Sequence, residues 1–292
     1  EQIRQREAQL KPLGEQRSKL GEEITGIDNA VMARAEAKIA EYEAVWTRPP
    51  VDRTGTEETF EPVTVRHVRL TALGVDTNPH ARTGYHIDEF QVWPAETTPR
   101  NVALAKNGGV AAGASRVAED FADAYGADLA NDGRFGARWI AQGPELTITL
   151  AKPESIDRVV FSSDGSGAAG DHHTAAFVCE YRIDVSTDGE SWTEVAGSAD
   201  RKPTSDGHRR KRLHDGEITP AERDQLRELR RQQAAVDRQI AAVPSLPSLR
   251  VGRLSDVRDP FHVFIGGDPM RHGAEVVPAS LGALNQSSAA YA

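Results

Sequence analysis

Few side chains in this chain are of types and at spacings that could do chemistry. Glu57-Glu58 and Asp88-Glu89 are paired acids. Glycoside cleavage needs two carboxylates facing one cleft at about 5–9 Å, and nothing in the pattern places these so. His172-His173, with Asp171 as the one local helper, raise the question of zinc. Adjacent strand residues point to opposite sides and no cysteine lies near, so the pair reads as loop histidines open to water. Gly165-Ser166-Gly167 and Gly108-Gly109 read as turns, without the strand-to-helix frame of a phosphate loop. A Gly-x-Ser-x-Gly elbow and a His-Glu-x-x-His helix are both missing from the sequence. Cys179 is the single cysteine, which excludes an internal disulfide, and inside a strand pattern it reads as a small buried apolar residue. This is the inventory of a non-catalytic chain.

The totals agree with an ordinary folded chain. It has 292 residues, 38% hydrophobic and 27% charged, enough for one large domain or two modest ones. A formal net charge of -9 argues against a general nucleic-acid binder, whose partner rewards positive charge. No stretch approaches the roughly 18 apolar residues of a membrane span, so direct membrane insertion is not expected. There is no signal-peptide pattern, and both ends read as cut from something longer.

The elements that must position any site come in three kinds. Residues 1–48 read as a helical arm with apolar positions at Ile3, Leu10, Leu13, Leu20, Ile24, Ile27, Val31 and Ile39, a break near Pro12 or a helix starting after it, and Pro49-Pro50 as its stop. Residues 216–244 read as a second arm. There Thr219-Pro220-Ala221-Glu222 is a capping box with proline at the first helical position, and Leu226, Leu229, Val236, Ile240 and Val243 form a heptad seam. Each stripe needs a partner, and the simplest solution is an antiparallel pair.

Between the arms, residues 60–200 read as short strands. These are Val63–Leu70, Tyr85–Trp93, Glu145–Leu150, Ile156–Phe161, Phe177–Val185 and Ser191–Val195, the last two flanking an Asp188-Gly189 turn. Val63 and Val65 fall out of phase with Val68 and Leu70, which predicts a bulge near His67. The basic run Arg201–Asp215 reads as a solvated linker, and residues 245–292 as an extended segment with one short strand at Phe261–Ile265.

The run Asn101–Ala105, Leu129–Gly133, Trp139, Leu146–Leu150, Ile156–Val160 and Tyr181–Trp192 resembles a discoidin-like domain, the coagulation factor 5/8 C-terminal (galactose-binding-like) type. Val65–Thr71 and Tyr85–Trp93 look like the strand pair that closes such a domain, here placed first, as in a permuted arrangement. The flanks, with Pro244-Ser245-Leu246-Pro247 and Val263–Pro278, resemble a region of large planctomycete cytochrome-c-domain proteins, some of which carry an inserted discoidin-like domain. No Cys-x-x-Cys-His haem attachment is present. The resemblance implies a mainly β chain: a discoidin-like jelly-roll β-sandwich inserted in an antiparallel, coiled-coil-like α-helical hairpin. It also implies a periplasmic or extracellular setting.

Discoidin-like modules bind ligands with loops at one end of the sandwich. The resemblance therefore points to the loops Asn78–Thr83, Asn131–Trp139, Ser163–Gly165 with Asp171–His173, and the edge near Tyr125. Arg138, Asp132 and His172 are the first candidates, with Trp139 and Asp164 beside them; Trp139 also suits a core position. The Asp132-Gly133 turn resembles a structural calcium loop, with Asp132, Asn131 and Glu89 as ligands and main-chain oxygens for the rest. The expected function is a non-catalytic module binding a glycan within a larger exported protein. The alternative is a structural insertion that positions neighbouring domains of that protein.

Overall fold

The structure is a computed structural model that describes residues 1–76, 85–96, 100–119, 121, 124–168, 177–245 and 261–276. The chain divides into two compact units, Lys11–Ile240 and a second formed by Glu1–Leu10 with Ala241–Ala292.

Two helices open the chain, α1 (Gln2–Ala37) and α2 (Ile39–Val45). The strands β1 (Thr56–Asp76), β2 (His86–Ile87), β3 (Glu89–Pro94), β4 (Val110–Ala112), β5 (Trp139–Ile140), β6 (Glu145–Ser162), β7 (Phe177–Ser186) and β8 (Thr193–Gly197) follow. Helices α3 (Asp206–Glu217) and α4 (Pro220–Ala242) come next, then the hairpin β9 (Phe261–Phe264) and β10 (His272–Val276).

Six strands form one antiparallel sheet in the order β3-β6-β1-β7-β8, with β4 also on β6. Its scaffold is two long bent strands. The first part of β1 (Thr56–Val65) pairs with the last part of β6, and His67–Thr71 pairs with Glu145–Thr149. Between these registers β6 carries the extra residues Leu150 to Pro153 opposite Arg66 alone, so the pair turns a corner there. The bulge expected near His67 is this register shift. The two strands expected at Glu145–Leu150 and Ile156–Phe161 are the two halves of β6. The corner lets Val68, Leu70, Leu146, Ile148 and Ile183 share one apolar core with Phe90, Val92, Ile156, Val159 and Phe161.

The mainly β, jelly-roll reading is therefore corrected. Helix and strand account for 37% and 34% of the described residues, and the sheet is not closed: β3 and β8 end it without pairing to each other. The chain folds as a mixed α/β protein. Two local readings are corrected as well. Pro12 does not break α1, which runs through it and breaks at Lys38 instead; Leu13, Leu20, Ile24 and Ile27 gain a packed seam against Leu229, Val236 and Ile240 that offsets the lost hydrogen bond. The basic run Arg201–Asp215 is not a solvated linker but largely α3, capped by Ser205, whose side chain accepts from His208 N–H.

Helices α1 and α4 run antiparallel, as Arg17 to Asp237 at 2.6 Å and Arg34 to Glu222 at 2.6 Å show. Thr219 and Glu222 close the capping box: Thr219 N–H donates to Glu222 Oε2 at 3.0 Å and Glu222 N–H to Thr219 Oγ1 at 3.3 Å.

The sheet's entry and exit meet where Arg48 and Arg201 form a parallel bridge. A buried polar cluster fills that junction. Arg201 donates to Glu58 Oε1 at 3.0 Å, to the Tyr181 hydroxyl at 2.7 Å and to the Glu57 carbonyl at 2.7 Å, while Tyr181 itself donates to Glu58. On the α3 side, Arg212 forks onto Glu180, which also takes Ser198 Oγ–H at 2.6 Å. Thr204 N–H donates to His208 Nδ1 at 3.1 Å, so His208 Nε2 carries the hydrogen that meets Glu180 Oε1 at 2.7 Å. Burial raises Glu180, but the hydrogen bonds from His208, Arg212 and Ser198 outweigh it and hold the carboxyl at about 2. Every cation of this cluster has its carboxylate, which is what allows such charges to be buried at all.

Candidate functional site

The site is built where the start of β3 meets two loops. Asp88 is almost wholly buried and both its oxygens are used. Gly136 N–H donates to Oδ1 at 2.8 Å and Gly165 N–H to Oδ2 at 2.8 Å. One side chain thus ties the loop after Asn131 to the loop after β6. The tie brings Phe135 against Gly165 so closely that a Cβ at Gly165 would lie 2.3 Å from a Phe135 ring carbon. Only glycine permits this approach. The ring keeps 55% of its surface exposed. A partly exposed aromatic ring is therefore held where Asp88 joins the two loops.

Charge is sorted across this end. Asp132 caps its own loop, its Oδ1 accepting Arg134 N–H at 2.7 Å. Asp164 is buried with Arg53 Nε at 3.7 Å. Arg134 is exposed and Arg138 half-buried. Among the described residues, neither guanidinium makes a hydrogen bond or ion pair.

Beneath the loop, Glu89 is buried and its Oε1 accepts Gly133 N–H, while no hydrogen bond reaches Oε2. Burial pushes its carboxyl up to about 7 despite the backbone N–H groups of Gly133 and Arg134. Asn131, also buried, donates through Nδ2 to the Ala103 carbonyl at 2.7 Å and the Gly109 carbonyl at 3.2 Å, and its Oδ1 has no hydrogen-bond partner. Asn131 Oδ1 is thus a buried oxygen without a donor at this turn, while Glu89 takes the backbone N–H groups of Gly133 and Arg134. Among the described residues no group of three or more His, Cys, Asp or Glu is placed to hold a metal. Any shell here would have to draw largely on main-chain oxygens.

The structure brings Asp132, Arg138, Asp164, Asn131 and Glu89 to this end of the sheet, in different roles. Trp139 lies in the core, fully buried, its Nε1–H on Ser115 Oγ at 3.0 Å and its ring edge-on to Tyr85 at 5.6 Å. It offers no face to a ligand. His172, with Asp171, His173 and the loop Asn78–Thr83, lies outside the described residues. The sequence analysis named the loop Asn131–Trp139 without singling out Arg134 or Phe135 within it, and read Asp88 only as one of two paired acids. A separate cleft of about 590 Å³ lies between Leu73–Val75 and Gln142–Pro144, walled by Tyr85 and by Arg116, which stacks on Tyr125 at 5.7 Å.

Residues 112–220 match the family model of the F5/8 type C domain, the discoidin-like class. The chain thus contains a discoidin-like segment, consistent with a non-catalytic binding module. It runs from β4 through the Phe135 loop to α3. β1 and β3 precede it in sequence and pair with its strands in one sheet, as β1 does with β6 and β7 and β3 with β6. No curated protein and no solved structure matches the chain. No helix among the described residues is long and apolar enough to cross a membrane.

Proposed function

We propose that this chain is a non-catalytic carbohydrate-binding module, and that the saccharide sits on the loop end built by Asp88, Phe135 and Gly165. The observation that carries this reading is the exposed Phe135 ring pinned on Gly165. Sugar rings present a face of C–H groups that packs on aromatic carbon, and fixed polar groups beside that face set the orientation. Arg138 and Asp132 supply those polar groups. Calcium at Glu89 and Asn131 would act as structural support, pinning the same loop from below. The module would serve a larger exported protein of the kind the flanks resemble. Titration of the folded protein against a saccharide library tests the reading. It predicts saturable binding that Phe135→Ala removes, and a folded protein that binds no saccharide would sink it.

The structural alternative rests on a different observation, the buried Arg48–Glu58–Arg201–Glu180–Arg212 cluster that fixes the sheet to α3. Here the unit holds neighbouring domains at a set angle. Deleting residues 62–196 from the parent protein separates the two. Unchanged assembly and activity of the parent would refute the structural version.

A further inference from the structure

Resting on the carbohydrate reading, we infer that the saccharide this end takes is acidic, carrying a carboxylate or sulfate, and that Arg134 and Arg138 read that group. Among the described residues, Asp88, Glu89 and Asp164 are buried carboxylates of this end, and Asp132, half-buried, is held by its own loop. Asp88 holds two backbone N–H groups, Glu89 holds Gly133 N–H, Asp132 holds Arg134 N–H, and Asp164 faces Arg53. Of the two arginines here, Arg134 is exposed and Arg138 half-buried. Arg134 and Arg138 flank the Phe135 face in sequence, and among the described residues neither guanidinium is engaged.

The chain as a whole carries -9, so a cationic tip is a local arrangement and not a general property of the surface. Guanidinium forks match carboxylate and sulfate oxygens with paired N–H donors, and the aromatic face takes the ring that carries them. A neutral sugar would leave both forks idle. An anionic lipid surface would also meet two arginines and a phenylalanine. However, the Phe135 ring carbons pack against Gly165, so the ring does not stand free as a spike that could enter acyl chains.

The test is calorimetric titration of the whole chain with three probes: an oligogalacturonate, a neutral galacto-oligosaccharide, and phosphatidylserine/phosphatidylcholine vesicles. It is run at about 0.05 and 0.5 M salt, across which exposed charge pairs weaken. Arg134→Gln, Arg138→Gln and the double variant are titrated alongside, with melting temperature as the control for folding. The inference expects binding of the oligogalacturonate that weakens with salt, roughly tenfold loss for each arginine and about a hundredfold for both. Tight binding of the neutral saccharide, unaffected by either substitution, would overturn the inference and leave the carbohydrate reading standing. Binding of no saccharide overturns both. Binding of vesicles alone replaces both with a membrane-docking role.

Discussion

Replacing Asp88 by alanine removes the one side chain that joins the two loops of the candidate site. Its carboxylate accepts two backbone N–H groups, each at 2.8 Å, in a nearly solvent-free position. A hydrogen bond to a charged group contributes about 1.5–3 kcal/mol, so two give about 3–6 kcal/mol. Alanine also relieves the cost of keeping a carboxylate out of water, which returns part of that. The net loss expected is about 2–4 kcal/mol. For a unit of this size each kcal/mol moves the melting point by about 2–4 °C, so Tm falls by roughly 5–15 °C.

The local signature is sharper than the global one. In amide hydrogen exchange, Gly136 and Gly165 should lose protection together, because they share one acceptor. Asp88→Asn should fall between, since the amide oxygen accepts one N–H while its NH2 group opposes the other. If Asp88→Ala costs less than about 0.5 kcal/mol, within the range of ordinary surface changes, and both amides keep their protection, the strut is not what holds the loops.

Three further outcomes follow from the same geometry. Gly165→Ala places a methyl carbon 2.3 Å from the Phe135 ring and must displace it, so saccharide titration should show affinity lost while circular dichroism shows the fold kept; unchanged affinity would separate Phe135 from binding. Calcium should raise the melting temperature of the wild type, and Glu89→Gln should abolish that rise; an equal rise in the variant would remove Glu89 from the shell. Glu180 is held at about 2 against an ordinary 4.5. Its stabilisation is therefore complete above about pH 4.5 and is lost as pH falls toward 2. After discounting for solvent screening that is about 1–2 kcal/mol. Urea unfolding across that window should show the loss in the wild type and a flatter profile in Glu180→Gln.

Parts of this were legible in the sequence because their causes are local. The His67 bulge shows as a slip in a two-residue alternation, and the α4 cap as Thr219 and Glu222 three residues apart. Other parts have causes far apart in the chain. Arg201 and Arg212 read as solvated because their partners, Glu58 and Glu180, lie at least thirty residues away, and only pairing makes a buried arginine tolerable. β6 looked like two strands because Leu150 to Pro153 interrupts its alternation, and the corner exists only against β1. The resemblance supplied a β-dominated sandwich, but it said nothing of how much helix α1, α3 and α4 would add. At the site, the resemblance pointed to Asn131, Asp132, Glu89, Arg138 and Asp164, and the hydrogen bonds of Gly133 to Glu89 and of Gly136 and Gly165 to Asp88 join their loops to the start of β3. Phe135 was named only as part of the loop Asn131–Trp139, since Gly165, which it contacts, and Asp88, which ties the loops, lie far from it in sequence.

The most direct test of the account is to map a bound saccharide onto the backbone by NMR, following amide shifts in labelled protein during titration. The account predicts that the largest changes fall on Arg134 to Arg138 and on Gly165. Changes confined to Leu73–Val75 and Gln142–Pro144 would move the site to the other cleft, and no change anywhere at saturating saccharide would contradict the binding function itself.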